Sequence, residues 1–292
     1  MPGPEHEPGP LIELTRKAAG VFAERGFENA RLEAELLLAG VLGMKRLDLY
    51  LQHDRPLTDA ELERFRVAVR RRLKHEPLQY VLGTAAFRRL ELYVDQRVLI
   101  PRPETEVLAG AVLDWARTRA GVGAALDIGT GSGAIALSLA GEGSFTRVVA
   151  TDVSSDALAV AQQNAHRVGL ADRVELRHGS LFEPLLAGET FTVIVSNPPY
   201  IAESERATLA PEVVAHEPAA ALFAGADGLN IIDALLRGAH MWLEPRGLLA
   251  LEIGATQGDA VLRRAHELGR YENARVVHDL SGRPRVVLAE RA

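Results

Sequence analysis

The fold is decided by the stretch Phe191-Thr192-Val193-Ile194-Val195-Ser196-Asn197-Pro198-Pro199-Tyr200, an apolar run that ends in a polar residue and two prolines. The β-branched and apolar residues from Phe191 to Val195 predict a buried parallel strand. Proline fixes its own φ at about −65° and donates no backbone N–H, and Pro199 drives Pro198 into the extended region. We therefore expect a stiff turn at the carboxyl end of this strand, where open α/β sheets place their ligands.

The turn over residues 197–200 also predicts a kind of chemistry. It holds a carboxamide, bare carbonyls and an aromatic ring at one point, which suits a planar, neutral group rich in N–H donors. A nitrogen of that kind is a poor nucleophile because its lone pair is delocalised, so the site must accept its hydrogens and align the lone pair. We expect Asn197 Oδ1 and the Pro198 carbonyl to accept these hydrogens, and Tyr200 to pack against the planar group. The alternative is a proline pair that merely ends a strand.

A second ligand site is predicted at the glycine-rich stretch Gly129-Thr130-Gly131-Ser132-Gly133, which follows a strand pattern and opens a helix. Glycines let the backbone turn sharply and approach a ligand closely. Asp152 ends the next predicted strand, where a carboxylate can accept hydrogen bonds from both hydroxyls of a ribose. Its alternative role is the N-cap of the following helix, which Ser154 or Ser155 could fill instead.

The glycine pattern fits S-adenosylmethionine and NAD equally well. The fourth strand of the series favours S-adenosylmethionine, because a methyltransferase directed at an amino or amide nitrogen needs an Asn-Pro-Pro-Tyr turn and a dehydrogenase does not. Methyl transfer to such a nitrogen needs alignment and a dry site more than it needs a strong base.

Composition limits the remaining possibilities. A net charge of −6 over 292 residues argues against a protein held on nucleic acid mainly by a basic surface. The absence of cysteine excludes disulfides, a thiolate nucleophile and cysteine-ligated zinc, and it fits a reducing compartment. No apolar run approaches the length of a membrane span. The scattered histidines predict no metal site, and we expect a cytoplasmic protein that binds neither membranes nor nucleic acid.

The first third of the chain has helical patterns. Residues 1–10 are acidic and rich in proline, which predicts a frayed tail, and residues 11–83 predict a bundle of short helices. The sequence Thr58-Asp59-Ala60-Glu61 resembles a capping box that opens a helix running to about His75. The basic run Arg70-Arg71-Arg72 with Lys74 predicts a solvated face, with a partner-binding patch as the alternative. Residues 77–83 leave the helical pattern.

Residues 84–100 predict a β-hairpin linker, with its turn at Asp95-Gln96. The next segment, Ile100-Pro101-Arg102-Pro103-Glu104-Thr105-Glu106, leads into a helix from about Thr105 to Ala120. Acidic residues in a first turn suit the helix dipole. A proline-bracketed helix start does not explain Arg102, which could form part of a substrate-pocket wall.

Residues 101–292 predict an α/β domain. Helices are expected after each of the first four strands or in the long connection, which indicates βαβ units and a parallel sheet. The last two strands are joined only by a short loop at Ser281-Gly282, so they must be antiparallel. The predicted strands are Ala125–Ile128, Arg147–Thr151, Arg173–Arg177, Phe191–Val195, Leu248–Ile253, Ala274–Val277 and Arg285–Leu288.

From about residue 11 to its end the chain resembles the PrmC/HemK family, the release-factor glutamine methyltransferases. Asn-Pro-Pro-Tyr alone is shared with adenine-N6 DNA methyltransferases and some RNA methyltransferases, but its combination with IPRPETE and a helical N-terminal domain is more specific. The motifs are QYVLG at 79–83, IPRPETE at 100–106, LDIGTGSG at 126–133, SNPPYI at 196–201, and the EP…GLN and LEIG segments near 217–230 and 251–254.

The resemblance implies a class I SAM-dependent methyltransferase fold: Rossmann-like, with a seven-stranded, mostly parallel sheet, an antiparallel terminal hairpin and a small N-terminal helical domain. It implies methylation, by S-adenosyl-L-methionine, of the glutamine in the Gly-Gly-Gln loop of bacterial class I peptide-chain release factors. The products are N5-methylglutamine and S-adenosylhomocysteine. The resemblance also implies that the helical domain helps to bind the release factor.

The resemblance also implies roles for individual residues. Catalysis falls to Asn197, Pro198 and Tyr200, and these residues hold the glutamine together with Pro199. Cofactor contacts are implied at Gly129, Thr130, Gly131, Ser132, Gly133, Asp152 and Asn197.

One stretch departs from the family pattern. The sequence Gly179-Ser180-Leu181-Phe182 follows the third predicted strand, and some relatives have an acid and an aromatic residue in place of Ser180 and Leu181. We expect Leu181 or Phe182 to form an apolar wall for the adenine, with weaker polar recognition.

Two other functions fit part of this pattern. An adenine-directed nucleic-acid methyltransferase would use the same turn, but the acidic net charge and the lack of a recognisable DNA-reading module argue against it. A non-catalytic binding protein would use the helical bundle alone, which leaves the glycine loop and Asn-Pro-Pro-Tyr without a purpose.

Overall fold

The computed structural model describes residues 10–119 and 121–292, which divide into two compact units. Unit 1 comprises the chain up to Gly83 together with Pro211–His216, and unit 2 comprises Thr84–Ala210 and Glu217–Ala292. The predicted tail lies outside the described residues except for Pro10, which forms a β-bridge with Pro56. Among the described residues, none of the helices combines the length and apolar character that crossing a bilayer requires.

Helices and strands follow one another in an order close to the predicted one. In chain order they are α1 (Leu11–Glu24), α2 (Ala30–Leu42), α3 (Arg46–Leu51), α4 (Asp59–Arg72), α5 (Leu78–Leu82), β1 (Thr84–Phe87), β2 (Leu90–Tyr93), α6 (Pro103–Arg117), β3 (Ala124–Ile128), α7 (Ala134–Glu142), β4 (Arg147–Asp152), α8 (Ser155–Arg167), β5 (Val174–His178), β6 (Phe191–Ser196), α9 (Pro211–His216), α10 (Asn230–Gly238), β7 (Leu243–Glu252), α11 (Gly258–Leu268), β8 (Tyr271–His278) and β9 (Pro284–Arg291).

Unit 1 is a small helical bundle around one apolar cluster, which includes Leu11, Phe22, Leu37 and Phe65. The predicted capping box at the start of α4 is present: Thr58 Oγ1 accepts from the Glu61 amide, and Glu61 Oε2 accepts from the Thr58 amide at 2.9 Å. The expectation that residues 77–83 are not helical is wrong. Pro77 precedes the first turn of α5, where its missing N–H costs nothing, and Gly83 ends that helix at φ 72°.

The basic run at the end of α4 is solvated only in part: Arg70 and Lys74 are exposed, whereas Arg72 is buried. Arg72 is 5% exposed, binds Glu33 and Glu212, and lies 4.5 Å from the centre of the Phe27 ring. Arg71 binds Glu76 and the carbonyls of Tyr80 and Val81. The sequence assigned α9 to the α/β domain, but this segment belongs to unit 1 because Glu212 supplies one of the carboxylates around Arg72.

The β-hairpin lies earlier than predicted. β1 pairs with β2 in antiparallel register, and Phe87 opposite Leu90 places the turn at Arg88-Arg89, with Arg88 at φ 51°. The predicted turn at Asp95-Gln96 is wrong, because residues 98–100 form no strand. Asp95 instead accepts from the backbone and side chain of Arg97, which lowers the pKa of Asp95 to about 2.

Unit 2 is built on a seven-stranded sheet with the order β5-β4-β3-β6-β7-β9-β8. Strands β3 to β7 run parallel, and β8 and β9 are antiparallel to their neighbours, which confirms the predicted fold class. Every residue of β6 is buried, as expected of a central strand with helices on both faces. The predicted helix after the third strand of the series is absent: residues 179–190 between β5 and β6 form turns.

Candidate active site

The site is organised by two neighbouring strands, β3 and β6. Their parallel register pairs Ile128 with Ser196, so both strands end at the same level of the sheet. The buried Ser196 hydroxyl donates to the Ile128 carbonyl at 2.6 Å and ties the two ends together. Gly129 and Asn197, the next residues along each strand, therefore begin two loops side by side at the point where the strand order reverses.

The glycine loop after β3 adopts the backbone that its residue types predict. Gly129, Gly131 and Gly133 have φ values of 74°, 54° and 84°, a region that residues with a side chain rarely adopt. A Cβ built on Gly129 or Gly131 would meet only open space, whereas one on Gly133 would lie 3.2 Å from Leu137. The first two glycines thus leave room for a ligand, and the third packs the start of α7.

Asp152 closes this loop from the end of β4. Its Oδ2 accepts from the Gly131 amide at 2.8 Å and its Oδ1 from the Ser154 amide at 2.9 Å. Ser154 caps α8, since its hydroxyl accepts from Ala157 N at 3.1 Å. Asp152 is therefore not the cap, and its carboxylate is fixed beside the glycine loop.

Two residues beside the loop were not singled out from the sequence. Asp127 is fully buried, accepts from Thr130 Oγ1 and Ala136 N, and has a pKa raised to about 7, chiefly by burial. Its Oδ1 has no hydrogen-bond partner among the described residues. Val153, directly after Asp152, is 64% exposed. An acid inside an apolar strand could have signalled Asp127, whereas the exposure of Val153 depends on tertiary structure.

Asn197 is held in one orientation by α6. Its Nδ2 donates to Thr105 Oγ1 at 3.1 Å, and Thr105 is a buried residue in the first turn of that helix. The carboxamide oxygen Oδ1 is therefore the atom free to accept from a ligand. Pro198 is buried and Pro199 half-buried, so the corner is fixed without being sealed.

Tyr200 is anchored through both its hydroxyl and its carbonyl. The hydroxyl donates to Glu252 Oε1 at 3.2 Å, and the carbonyl accepts from Gln257 Nε2 at 2.9 Å. The ring packs against the apolar cluster formed by β6, β7 and α10. Burial raises the pKa of Tyr200, and the nearby Glu252 charge raises it further, so this hydroxyl stays protonated. Packing of its ring on a substrate stays a prediction.

Glu252, the last residue of β7, is 1% exposed. Burial raises its pKa to about 7, while the hydroxyls of Thr105 and Tyr200 act in the opposite direction. Neither Glu252 nor Thr105 was assigned a role from the sequence, because their proximity to Asn197 arises only when α6 and β7 pack beside β6.

The two other predicted regions have different surroundings. Arg102 forms an ion pair with the buried Glu217, and Glu217 also accepts from the Ile100 amide. The role of Arg102 as part of a pocket wall stays a prediction. Leu181 has a φ of 48° after β5, and Phe182 packs directly against Gly238 of α10. Phe182 is partly buried and its ring contacts α10, which favours Leu181 as the candidate for an adenine wall.

Comparison with known proteins gives two family matches. Residues 13–83 match the PrmC N-terminal domain, and residues 109–225 match the methyltransferase small domain. The release factor glutamine methyltransferase of Geobacter sulfurreducens is 46% identical over 252 residues, covering 86% of each chain. The release factor glutamine methyltransferase of Moorella thermoacetica is 45% identical over 281 residues, covering 96% of this chain and 98% of its own.

Solved structures share the fold. A methyltransferase from Pyrococcus furiosus superposes with a TM-score of 0.51 at 21% identity, covering 69% of this chain and 88% of its own. A 16S rRNA methyltransferase from T. thermophilus, solved with AdoMet and guanosine, gives a TM-score of 0.50 at 20% identity, covering 72% of this chain and 50% of its own. With its sheet, its two family matches and its close relatives, the chain belongs to the family of release factor glutamine methyltransferases and is an enzyme of the class I methyltransferase fold.

Proposed function

We propose that the protein transfers the methyl group of S-adenosyl-L-methionine to the side-chain amide nitrogen of the glutamine in the Gly-Gly-Gln loop of bacterial class I release factors. The observation that carries this proposal is the hydrogen bond from Asn197 Nδ2 to Thr105 Oγ1, which leaves Oδ1 as the acceptor of the carboxamide. A carboxamide substrate presents two N–H donors, and Oδ1 with the Pro198 carbonyl supplies two acceptors.

The residues beside β3 and β4 fit S-adenosylmethionine. The open backbone at Gly129 and Gly131 admits a ligand close to the chain, and Asp152 lies at the end of β4, where a ribose would be recognised. Val153, which is 64% exposed directly after Asp152, offers an apolar surface beside this carboxylate. Contacts from Thr130, Ser132 and Leu181 belong to the same proposal.

The cofactor, when bound, supplies an electrophilic methyl group. This chain supplies alignment: Asn197 Oδ1 and the Pro198 carbonyl would accept the two amide hydrogens and so leave the nitrogen lone pair free to attack the methyl group. The stiffness of the Pro198-Pro199 pair lowers the entropic cost of that alignment. The surplus proton leaves the product nitrogen after transfer, so no strong base is required.

We propose that unit 1 helps to bind the release factor. Several of its large apolar side chains are exposed, and the most exposed are Leu47 at 65% and Leu51 at 71%, one turn apart on α3. An exposed apolar patch of this kind is a common feature of protein-binding surfaces. Arg71 and Arg72 are engaged within unit 1, so a docking role for the basic run falls to Arg70 and Lys74. A cytoplasmic location follows from this substrate and stays a prediction.

The test offers isotopically labelled methyl donor to the purified protein with either a release factor or nucleic acid. Label is expected in the release factor, and a release factor whose loop glutamine is replaced should remain unlabelled. Label in nucleic acid at adenine would instead favour the adenine-N6 alternative. Replacing Leu47 and Leu51 together by Asp should raise the KM for release factor and leave kcat unchanged.

A further inference from the structure

Glu252, the glutamate of the LEIG segment, is buried and has no role in the proposed function. Glu252 Oε1 accepts from the Tyr200 hydroxyl at 3.2 Å, and the Thr105 hydroxyl also interacts with this carboxylate. Its Oε2 is buried without a hydrogen-bond partner among residues 10–119 and 121–292. Burial of a carboxyl group with an unsatisfied oxygen costs free energy, so its presence needs a reason beyond packing.

A chain of contacts joins Glu252 to Asn197. A threonine hydroxyl has one hydrogen to donate and lone pairs with which to accept. When Thr105 directs its hydrogen at Glu252, its lone pairs are left to accept from Asn197 Nδ2, which lies 3.1 Å away. An ionised carboxylate only accepts, so in that state of Glu252 the Glu252 end sets the direction of this chain.

We propose that Glu252 is a positioning residue: it holds the hydroxyls of Thr105 and Tyr200 and, through Thr105, keeps Asn197 Oδ1 turned toward the substrate amide. The identity of that amide rests on the proposed function. Without an acceptor at position 252, the Thr105 hydroxyl can rotate and donate to Asn197 Oδ1 instead. The carboxamide would then present Nδ2 to the N–H donors of the substrate, and two donors would face each other.

Two substitutions separate this role from a purely structural one. Glu252→Met fills the volume without an acceptor, and Glu252→Gln keeps an acceptor oxygen while placing a buried N–H₂ where Oε2 lacks a partner. A purely structural role predicts that the loss of turnover in each variant follows its loss of thermal stability, since Glu252→Met leaves the Tyr200 hydroxyl unpaired and Glu252→Gln buries an unpaired N–H₂. A positioning role predicts that Glu252→Met loses turnover beyond its loss of stability and that Glu252→Gln regains part of it.

The decisive measurement is single-turnover methylation of a release factor, with thermal unfolding recorded for each variant. Glu252→Met should lower kcat by about 10-fold to 100-fold, the range expected when a buried hydrogen-bonding group is left unpaired. Glu252→Gln should recover a substantial part of that loss, because it keeps an acceptor for the hydroxyls of Thr105 and Tyr200. Wild-type turnover in Glu252→Met, or equal loss in both variants, would overturn the proposal.

The intermediate link is tested at Thr105. Thr105→Ser keeps the hydroxyl and should stay active, whereas Thr105→Val should lose as much turnover as Glu252→Met. The double variant Thr105→Val/Glu252→Met should be no slower than the slower single variant, because both changes break one chain of contacts. A matched control is Thr192→Val, since the Thr192 hydroxyl also donates to a glutamate, Glu244, but does so at the opposite end of β6.

These outcomes are distinct from failure of the proposed function. If the wild-type enzyme leaves the release factor unlabelled, the substrate is wrong and none of the variants is informative about it. If the wild-type enzyme methylates the release factor and Thr105→Val does so equally well, the positioning role is wrong and the substrate assignment stands.

Discussion

Gly228 lies so close to the carbonyl oxygen of Tyr200 that a Cβ at this position would collide with it. The same carbonyl accepts from Gln257 Nε2, so the end of the Asn-Pro-Pro-Tyr turn is fixed by two distant segments of the chain. The GLN motif near residue 230 thereby acquires a physical role: its glycine permits close backbone approach, and its φ of 73° is one that glycine adopts without strain.

We expect Gly228→Ala to displace the Tyr200 carbonyl and to lower both turnover and the free energy of unfolding. Backbone strain at positive φ costs roughly 1 kcal/mol, and the collision should cost about 1–3 kcal/mol more. Gly282→Ala is the control, because Gly282 has a φ of 75° and open space around it. The control should lose stability from strain alone and keep full turnover. Identical behaviour of the two variants would contradict the close-approach argument.

Asn197→Ala should reduce turnover far more than it reduces cofactor affinity. The variant loses the acceptor that orients the substrate amide, and loss of a preorganised polar contact in an active site lowers kcat on the order of 100-fold. Single-turnover kinetics and calorimetric titration with S-adenosylmethionine measure the two effects separately. Near-normal turnover would defeat the assignment of Asn197, and Asn273→Ala on exposed β8 serves as the control.

Asp152→Ala should weaken binding of S-adenosylmethionine by about 10-fold to 100-fold, since a charged hydrogen-bond acceptor contributes about 1.5–3 kcal/mol. The change also frees the Gly131 amide, which donates to this carboxylate at 2.8 Å. Asp156→Ala, in the first turn of α8, removes a nearby acid without touching the glycine loop. Equal affinities of both variants for the cofactor would rule out the proposed role of Asp152.

Arg72→Met should destabilise the protein by about 3–5 kcal/mol, because it leaves the carboxylates of Glu33 and Glu212 without their buried partner. Arg70→Met removes the exposed ion pair with Glu63 and should cost about 0–1 kcal/mol. Urea unfolding of the full chain measures both values. A small effect of Arg72→Met would mean that this ion cluster adds little net stability.

Glu252 also predicts a pH dependence of stability. Its folded pKa is raised to about 7, mainly by burial and also by Glu104, and against the effects of Thr105, Tyr200 and Arg285. The folded state therefore holds a proton that the unfolded state releases near its ordinary pKa. As pH rises from about 4.5 to 7, the contribution of Glu252 lowers the free energy of unfolding by up to about 3 kcal/mol. Above pH 7 this contribution no longer changes with pH.

The check is urea unfolding of the wild-type protein and Glu252→Met at pH 5 and pH 8. The stability of Glu252→Met relative to wild type should increase between the two pH values. Since both proteins share all other titrating groups, their difference isolates residue 252. A difference that does not change with pH would show that Glu252 has an ordinary pKa in the folded state.

The parts of the site that could be predicted from the sequence are those whose physical cause is local. The glycine loop needs positive φ at Gly129 and Gly131, and the turn at Asn197 needs prolines directly after it. Each requirement is met by residues that are consecutive in the sequence, so it can be recognised without the structure. Thr105, Glu252 and Gln257 could not be assigned because each lies far from Asn197 in sequence, and only the packing of α6, β7 and the loop after β7 brings them into contact.

The errors in the fold have similar causes. β1 is Thr-Ala-Ala-Phe, and its two alanines give little strand signal, so the sequence predicts the hairpin one strand too late. The sequence predicts a solvated face at Arg70 to Arg72, because charge alone does not reveal the partners that bury Arg72. Arg72 has its counter-charges on α2 and α9, which are remote in sequence.

The placement of Pro211–His216 has a consequence for how this enzyme can be divided. The polypeptide passes between the two units at Gly83, at Ala210 and again at His216. A single protease cut in the linker at Gly83 would therefore leave the amino-terminal fragment lacking Glu212, the carboxylate that Arg72 holds. Neither unit is a continuous segment, so a single junction cannot exchange it between relatives. A chimaera that exchanges the first 83 residues must exchange residues 211–216 as well.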